Sequence, residues 1–278
     1  KWKHRFITWG ILIAVFGMRF IFPLAVVAIF AKLSIINVLN MALNNVTQYA
    51  HYLELTHAPI VTFGGCFLLM LFLDYFITPK DIHWLKSIEK GMEKLSKIKF
   101  ICPMITVTVL LLITLIIEPL NRHTVFISGL SGIIIYLIID NFAEWLEKKQ
   151  GEQTKIRTDS IKYAGLVGFL YLELIDASFS LDGVLGAFAL SSDIIIITLG
   201  LFIGAMFVRS LTIMLVEKKT LQQFIYLEHG AHWAIGVLAF LMFASTSIEI
   251  PEVITGTLGL IIIVAALITS ILENKRVH

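Results

Sequence analysis

The stretch LELTHAPIVTFGGCFLLMLFLDYFI, Leu53–Ile77, decides the fold class. A bilayer core of about 30 Å calls for roughly 20 predominantly apolar residues in a helix. This run exceeds that length, and it is not isolated. Further apolar runs cover Phe6–Ala31, Ile101–Ile117, Thr124–Asp140, Tyr163–Leu190, Ile194–Val216, Ile225–Ala244 and Glu252–Leu272. The runs at 101 and 124 are short. Composition agrees with the pattern. Hydrophobic residues make up 58% of the 278 positions and charged residues 15%, against about 25% charged in a soluble domain. The expectation is an all-α, polytopic transmembrane helical bundle of about eight spans, forming one integral membrane domain over residues 1–278.

The first run does not read as a secretory signal. It is too long, carries Arg19 and lacks a small-residue cleavage site. Cys66 and Cys102 both fall inside apolar runs, which argues against a disulfide framework. Asn45-Val46-Thr47 has the form of a glycosylation acceptor, a triplet that arises often by chance.

The basic loops alternate along the chain. Lys1, Lys3 and Arg5 precede the first run, and six lysines from Lys80 to Lys99 separate the second from the third. Lys148, Lys149, Lys155, Arg157 and Lys162 lie between the fourth and fifth, Lys218 and Lys219 between the sixth and seventh, and Lys275 and Arg276 after the eighth. The intervening loops, Lys32–Tyr52, Glu118–His123, Ser191–Asp193 and Ser245–Pro251, hold little beyond Lys32 and Arg122. The positive-inside rule then places both ends and every strongly basic loop in the cytoplasm, and eight crossings fit the alternation. Within the loop Ile82–Lys99, the apolar residues Trp84, Leu85, Ile88, Met92, Leu95 and Ile98 recur at helical spacing among lysines. Either a helix on the inner membrane surface or a solvated linker helix follows from that pattern.

Two segments repeat. Ile7-Thr8-Trp9-Gly10 leads to Arg19 as Ile197-Thr198-Leu199-Gly200 leads to Arg209. A second echo pairs Tyr52-Leu53-Glu54 and nearby His57 with Tyr226-Leu227-Glu228, His229 and His232. Tyr171-Leu172-Glu173 repeats the same triplet, which weakens that second echo. Because the first and sixth runs cross in opposite senses, the repeat is inverted, a common build for secondary transporters with a site near the midplane. Repeat one covers about 1–117, a linking helix about 124–162, and repeat two about 163–272. The run before Arg209 is acidic, so the repeat predicts one further acidic helix ahead of Lys1 in the natural protein.

The candidate site lies in the fifth run. Glu173, Asp176 and Asp182 sit in an otherwise apolar segment, with Ser178 and Ser180 between the aspartates. An aspartate at mid-bilayer costs about 2.5–3.5 kcal/mol, and such acids usually mark an ion or proton path. Glu173, Asp176 and Ser180 share a helix face. Asp182 lies about 9 Å beyond Asp176 and is turned by about 240°. A break near Ser178–Gly183 would bring both aspartates to one site, as in discontinuous transporter helices. A structural alternative is that the acids pair with Arg19 or Arg209, which lie deep in their own runs. Glu228, His229 and His232 open the seventh run and form either an ion-binding or gating group or a hydrated helix end; Glu54 and His57 are their weaker counterpart. Glu228-His229-Gly230-Ala231-His232 is not the His-Glu-x-x-His of a zinc protease. Gly200-x-x-x-Gly204 would allow close helix packing.

Asp176-x5-Asp182-Gly183, together with Gly204–Arg209 and Tyr-Leu-Glu-His-Gly-Ala-His at Tyr226–His232, resembles the TerC (tellurium resistance protein C) superfamily, in the branch called domain of unknown function 475. The resemblance covers essentially the whole chain. It implies a bacterial inner-membrane protein of a group linked to tellurium resistance and manganese export, with Asp176 and Asp182 as metal-site acids. Gly183 departs from the pattern, since many relatives have Asn there, and the first acidic copy is absent from these residues. The combined expectation is a transporter exporting a divalent cation. Oxygen ligands suit Mg²⁺, Ca²⁺ and Mn²⁺, and Mn²⁺ is the first choice. Glu173, Ser178 and Ser180 would assist Asp176 and Asp182, with Arg19 and Arg209 as charge partners. A membrane scaffold recruiting cytoplasmic stress proteins is the rival reading. An intramembrane hydrolase finds no nucleophile or full metal triad. No enzyme activity, resident cofactor or nucleic-acid binding is expected.

Overall fold

The computed structural model describes residues 17, 21–30, 32–117, 121–152, most of 196–210, 224–248 and 250–277. Among these residues all regular structure is helical. The chain divides into two compact units, one bounded by Lys1–Ile60 and Ile134–Ser210, the other by Val61–Ile133 and Leu211–His278.

In the first unit, α1 (Phe22–Phe30) is followed by α2 (Ile35–Asn44), α3 (Val46–Leu55) and the opening of α4 (His57–Ile77). Residues 32–52, expected to be a loop, are therefore mostly helical. Caps explain it. Ser34 adopts an extended backbone, and its hydroxyl accepts from the Asn37 N–H at 3.2 Å. Asn45 ends α2 and starts α3, its side-chain oxygen accepting from the Gln48 N–H at 3.2 Å. Each cap satisfies a donor that a helix start would otherwise leave orphaned. Asn45, the acceptor position of the glycosylation-like triplet, is thus a helix cap. Val38 and Ala42 on α2, and Tyr49 and Leu53 on α3, are paired at i, i+4. They close a core with Leu24, Val27 and Ala28 of α1 and Ile60 of α4.

The expected run Leu53–Ile77 is not one helix. Proline lacks an N–H and clashes with the carbonyl four residues back, so Pro59 cannot continue a helix from Leu55. The chain turns at Thr56, whose hydroxyl donates to the Leu53 carbonyl at 2.8 Å, and α4 starts at His57. Residues 196–197, 199–204 and 206–207 are helical, inside the expected run Ile194–Val216. Gly200 and Gly204 meet no other atoms among the described residues.

The second unit holds the rest of α4, then α5 (Lys86–Glu93) with a 3₁₀ turn at Lys94–Lys97, α6 (Ile101–Ile116), the opening of α7 (Arg122–Glu152), α8 (Leu227–Ser245) and α9 (Glu252–Val277). Close approach is carried by other glycines. A Cβ on Gly132 of α7 would collide with the Phe63 carbonyl of α4, and one on Gly230 of α8 with the Ala266 methyl of α9. Small residues at crossings are the usual means by which membrane helices approach. Cys66 and Cys102 form no disulfide.

Among the described residues, four helical stretches are long and apolar enough to cross a membrane: His57–Ile77, Arg122–Phe142, Leu227–Ser245 and Val253–Asn274. Lys86–Lys97 and Ile101–Ile116, bent by 106°, qualify together as a fifth. These correspond to five of the eight expected runs. The run Tyr163–Leu190 lies outside the described residues, and those at Phe6–Ala31 and Ile194–Val216 are described only in part. α4 is largely buried, whereas α9 exposes Val253, Leu260 and Ile261. Such continuous apolar faces are unsuited to water and suited to lipid, as expected of a multi-pass membrane protein.

Candidate functional site

Glu173, Asp176, Ser178, Ser180 and Asp182 lie outside the described residues, as do Arg19 and Arg209. Within the second unit the structure builds a polar cluster around three of the other expected residues and adds several that the sequence reading did not single out.

Its centre is Glu89, on α5, 2% exposed. One carboxylate oxygen accepts from the Trp84 N–H at 2.9 Å. The other accepts from the Leu85 N–H and the Trp233 indole N–H, both at 3.1 Å. The first two bonds reach back across the start of α5 to the N–H groups of Leu85, the N-cap, and of Trp84 just before it, which have no helical partner. The third ties α5 to α8. His229 Nδ1 stands 3.1 Å from Glu89 Oε2 but off the line a hydrogen bond requires, so this contact is electrostatic. A buried carboxylate with three donors and a nearby imidazole is well satisfied; such a group fixes geometry.

Tyr75, near the end of α4, organises the histidines. Its ring stacks on His232, with centroids 3.5 Å apart and planes 8° from parallel, and meets His229 edge-on at 5.5 Å. The Lys80 ammonium lies 2.7 Å from the Tyr75 ring centroid. A stacked imidazole leaves no room for it on the same side, so Lys80 and His232 take opposite faces of the ring. His232 Nδ1 donates to the Glu228 carbonyl at 2.9 Å, which fixes the tautomer. Burial pulls the Lys80 pKa below the ordinary lysine value, against the Glu228, Asp74 and Glu89 carboxylates, which raise it. Trp84 Nε1 donates to Thr269 Oγ1 at 2.9 Å, and the Tyr226 N–H to Ser270 Oγ at 2.8 Å, so α9 joins the same cluster.

Of the expected group Glu228, His229 and His232, the two histidines share Tyr75 but turn to different partners, and Glu228 is exposed. Among the described residues no three His, Cys, Asp or Glu side chains converge so as to hold a metal ion. In the first unit, Glu54 is exposed near the end of α3 and His57 is half-buried at the start of α4, on either side of the Thr56 turn. That unit also contains an open cavity of about 560 Å³ lined by amides, Asn37, Asn40, Asn44, Asn45 and Gln48, with Tyr52. The Asn45 amide donates to Gln48 Oε1 at 3.2 Å.

Glu89, Tyr75 and Trp233 had a weak signal in the sequence. Glu89 stands among lysines and reads as part of a solvated face, and only a contact with Trp233, far along the chain, buries it.

The model of the family described as Protein of unknown function (DUF475) matches residues 1–277. The chain belongs to that family. The match runs through the apolar helices, the lysine-rich segment and the Glu89 cluster alike. No curated protein and no solved structure matches the chain.

Proposed function

We propose that this protein is a multi-pass transporter that exports a divalent cation, manganese first, through a carboxylate site formed by Asp176 and Asp182. One observation carries the reading: three acids, Glu173, Asp176 and Asp182, stand within an apolar run of a chain several of whose other runs form bilayer-length apolar helices. Two unpaired aspartates there would cost about 5–7 kcal/mol, a cost that a bound cation or a charge partner such as Arg19 or Arg209 offsets. Glu173, Ser178 and Ser180 supply further oxygens. The resemblance to the TerC superfamily supports the same reading in a bacterial inner membrane; the alternation of basic loops supports eight spans with both ends of these residues cytoplasmic, and the repeated segments support an inverted repeat. Cells loaded with manganese and expressing the full-length protein should hold less of it than cells expressing Asp182→Asn at equal membrane abundance. Equal manganese contents would count against the reading. The rival, a scaffold for cytoplasmic stress proteins, predicts instead that charge changes among Lys86–Lys99 outweigh any change at Asp182.

A further inference from the structure

The stretch 80–100 exposes its lysines and engages most of its acids. It holds three acids, and two are engaged with the protein: Glu89 is buried against His229 and Trp233, and Glu93 Oε2 lies 2.9 Å from His83 Nε2. Only Asp81 remains as an exposed acid. Lys86, Lys90, Lys94 and Lys97 recur at helical spacing, and all are exposed. Ile88, 53% exposed, stands two residues from Lys86 and from Lys90, on the side of the helix away from them; beyond the 3₁₀ turn lies Phe100, 67% exposed, with the Lys99 ammonium 5.0 Å from its ring centroid. Phe100 takes a left-handed backbone, φ 61°, and the segment 86–97 meets α6 at 106°. With α6 upright in a bilayer, that angle lays 86–97 nearly flat along the membrane plane.

From this arrangement we infer that the segment 82–100 is a docking surface for anionic phospholipid headgroups of the bilayer that holds the protein. Exposed apolar side chains on one face and a lysine stripe on another, on a helix lying in the plane, are the chemistry of interfacial binding. With Glu89 buried and Glu93 turned to His83, no ion pair neutralises these lysines among the described residues, which selects negative headgroups over zwitterionic ones. The Glu89 latch gives the surface a fixed orientation, so the lipid meets a preformed face. The inference stands apart from the transport reading: the segment would bind anionic lipid whether or not a cation crosses at Asp182.

The test is native mass spectrometry of the full-length protein in detergent, titrated with phosphatidylglycerol or phosphatidylcholine. Wild type should bind phosphatidylglycerol in preference. Replacing Lys86, Lys90, Lys94 and Lys97 together by Gln should weaken that binding by at least about tenfold, since each lysine near an anionic surface contributes on the order of 1 kcal/mol. Added salt should erode the wild-type preference. The thermal midpoint of the variant, unchanged because these lysines are exposed, checks the fold. A second variant, Ile88→Ser, should weaken binding to both lipids. Equal affinity of wild type for the two lipids would overturn the inference and leave the lysines to an acidic protein surface. A preference that survives the four replacements would overturn it too.

Discussion

Glu89→Ala removes the centre of the polar cluster without touching an apolar helix. Three donors lose their acceptor: the Trp84 N–H, the Leu85 N–H and the Trp233 indole. His229 also loses the carboxylate 3.1 Å away. Leaving a buried polar group without its partner costs about 1–3 kcal/mol, and here three donors are orphaned around a carboxylate that is 2% exposed, so a total of about 3 kcal/mol or more is expected. Glu89→Gln keeps one acceptor oxygen and the side-chain volume, and should cost less, about 1.5–3 kcal/mol, the worth of one hydrogen bond to a charged group. The effect should be local first, because Glu89 serves the start of α5 and its tie to α8. Hydrogen exchange of the purified protein, followed by peptide, measures it directly. Amides of 84–93 should exchange faster by a factor of more than about one hundred in the alanine variant, the equivalent of 3 kcal/mol at about 1.4 kcal/mol per tenfold. Peptides from α6, α7 and the far ends of α8 and α9 should change little. Unchanged exchange over 84–93 would refute the latch.

Other perturbations follow from the same packing. Gly132→Ala sets a methyl against the Phe63 carbonyl, a backbone atom that cannot swing aside, and should lower the thermal midpoint by an amount equivalent to about 1–3 kcal/mol; Gly91→Ala, with open space around it, should leave the midpoint unchanged or raise it slightly. Trp233→Phe keeps the ring contacts with Phe72 and Phe76 but loses the indole bond to Glu89, so it should destabilise less than Glu89→Ala in the same exchange measurement. Lys80 gives a pH signature. Its folded-state pKa is lowered by burial from the ordinary 10.5, so the folded protein releases this proton before the unfolded chain does. Stability therefore rises as pH climbs through the folded-state pKa toward 10.5, and Lys80→Met should flatten that part of a melting profile against pH.

The sequence made the apolar helices plain because a bilayer imposes a length and a composition that few soluble segments meet. The runs at Ile101, Ile225 and Glu252 begin within two residues of α6, α8 and α9. The helical character of 35–55 was missed because its polar residues read as loop, although Ser34 and Asn45 are ordinary caps. The split at Thr56 was legible in Pro59. The near-right-angle turn at Phe100 was not, because a bulky residue with positive φ has no local signature and is held by what surrounds it. The lysine-rich helix was legible from its helical period, but the burial of Glu89 within it was not, because the groups that enclose it come from far along the chain.

The measurement closest to the central claim is flux. The purified full-length protein in liposomes enclosing a divalent-sensitive dye should admit or release Mn²⁺, with Mg²⁺ and Ca²⁺ as competitors, and Asp182→Asn should bring the rate to that of empty liposomes. Equal Mn²⁺ flux in wild type, Asp182→Asn and empty liposomes would contradict the account.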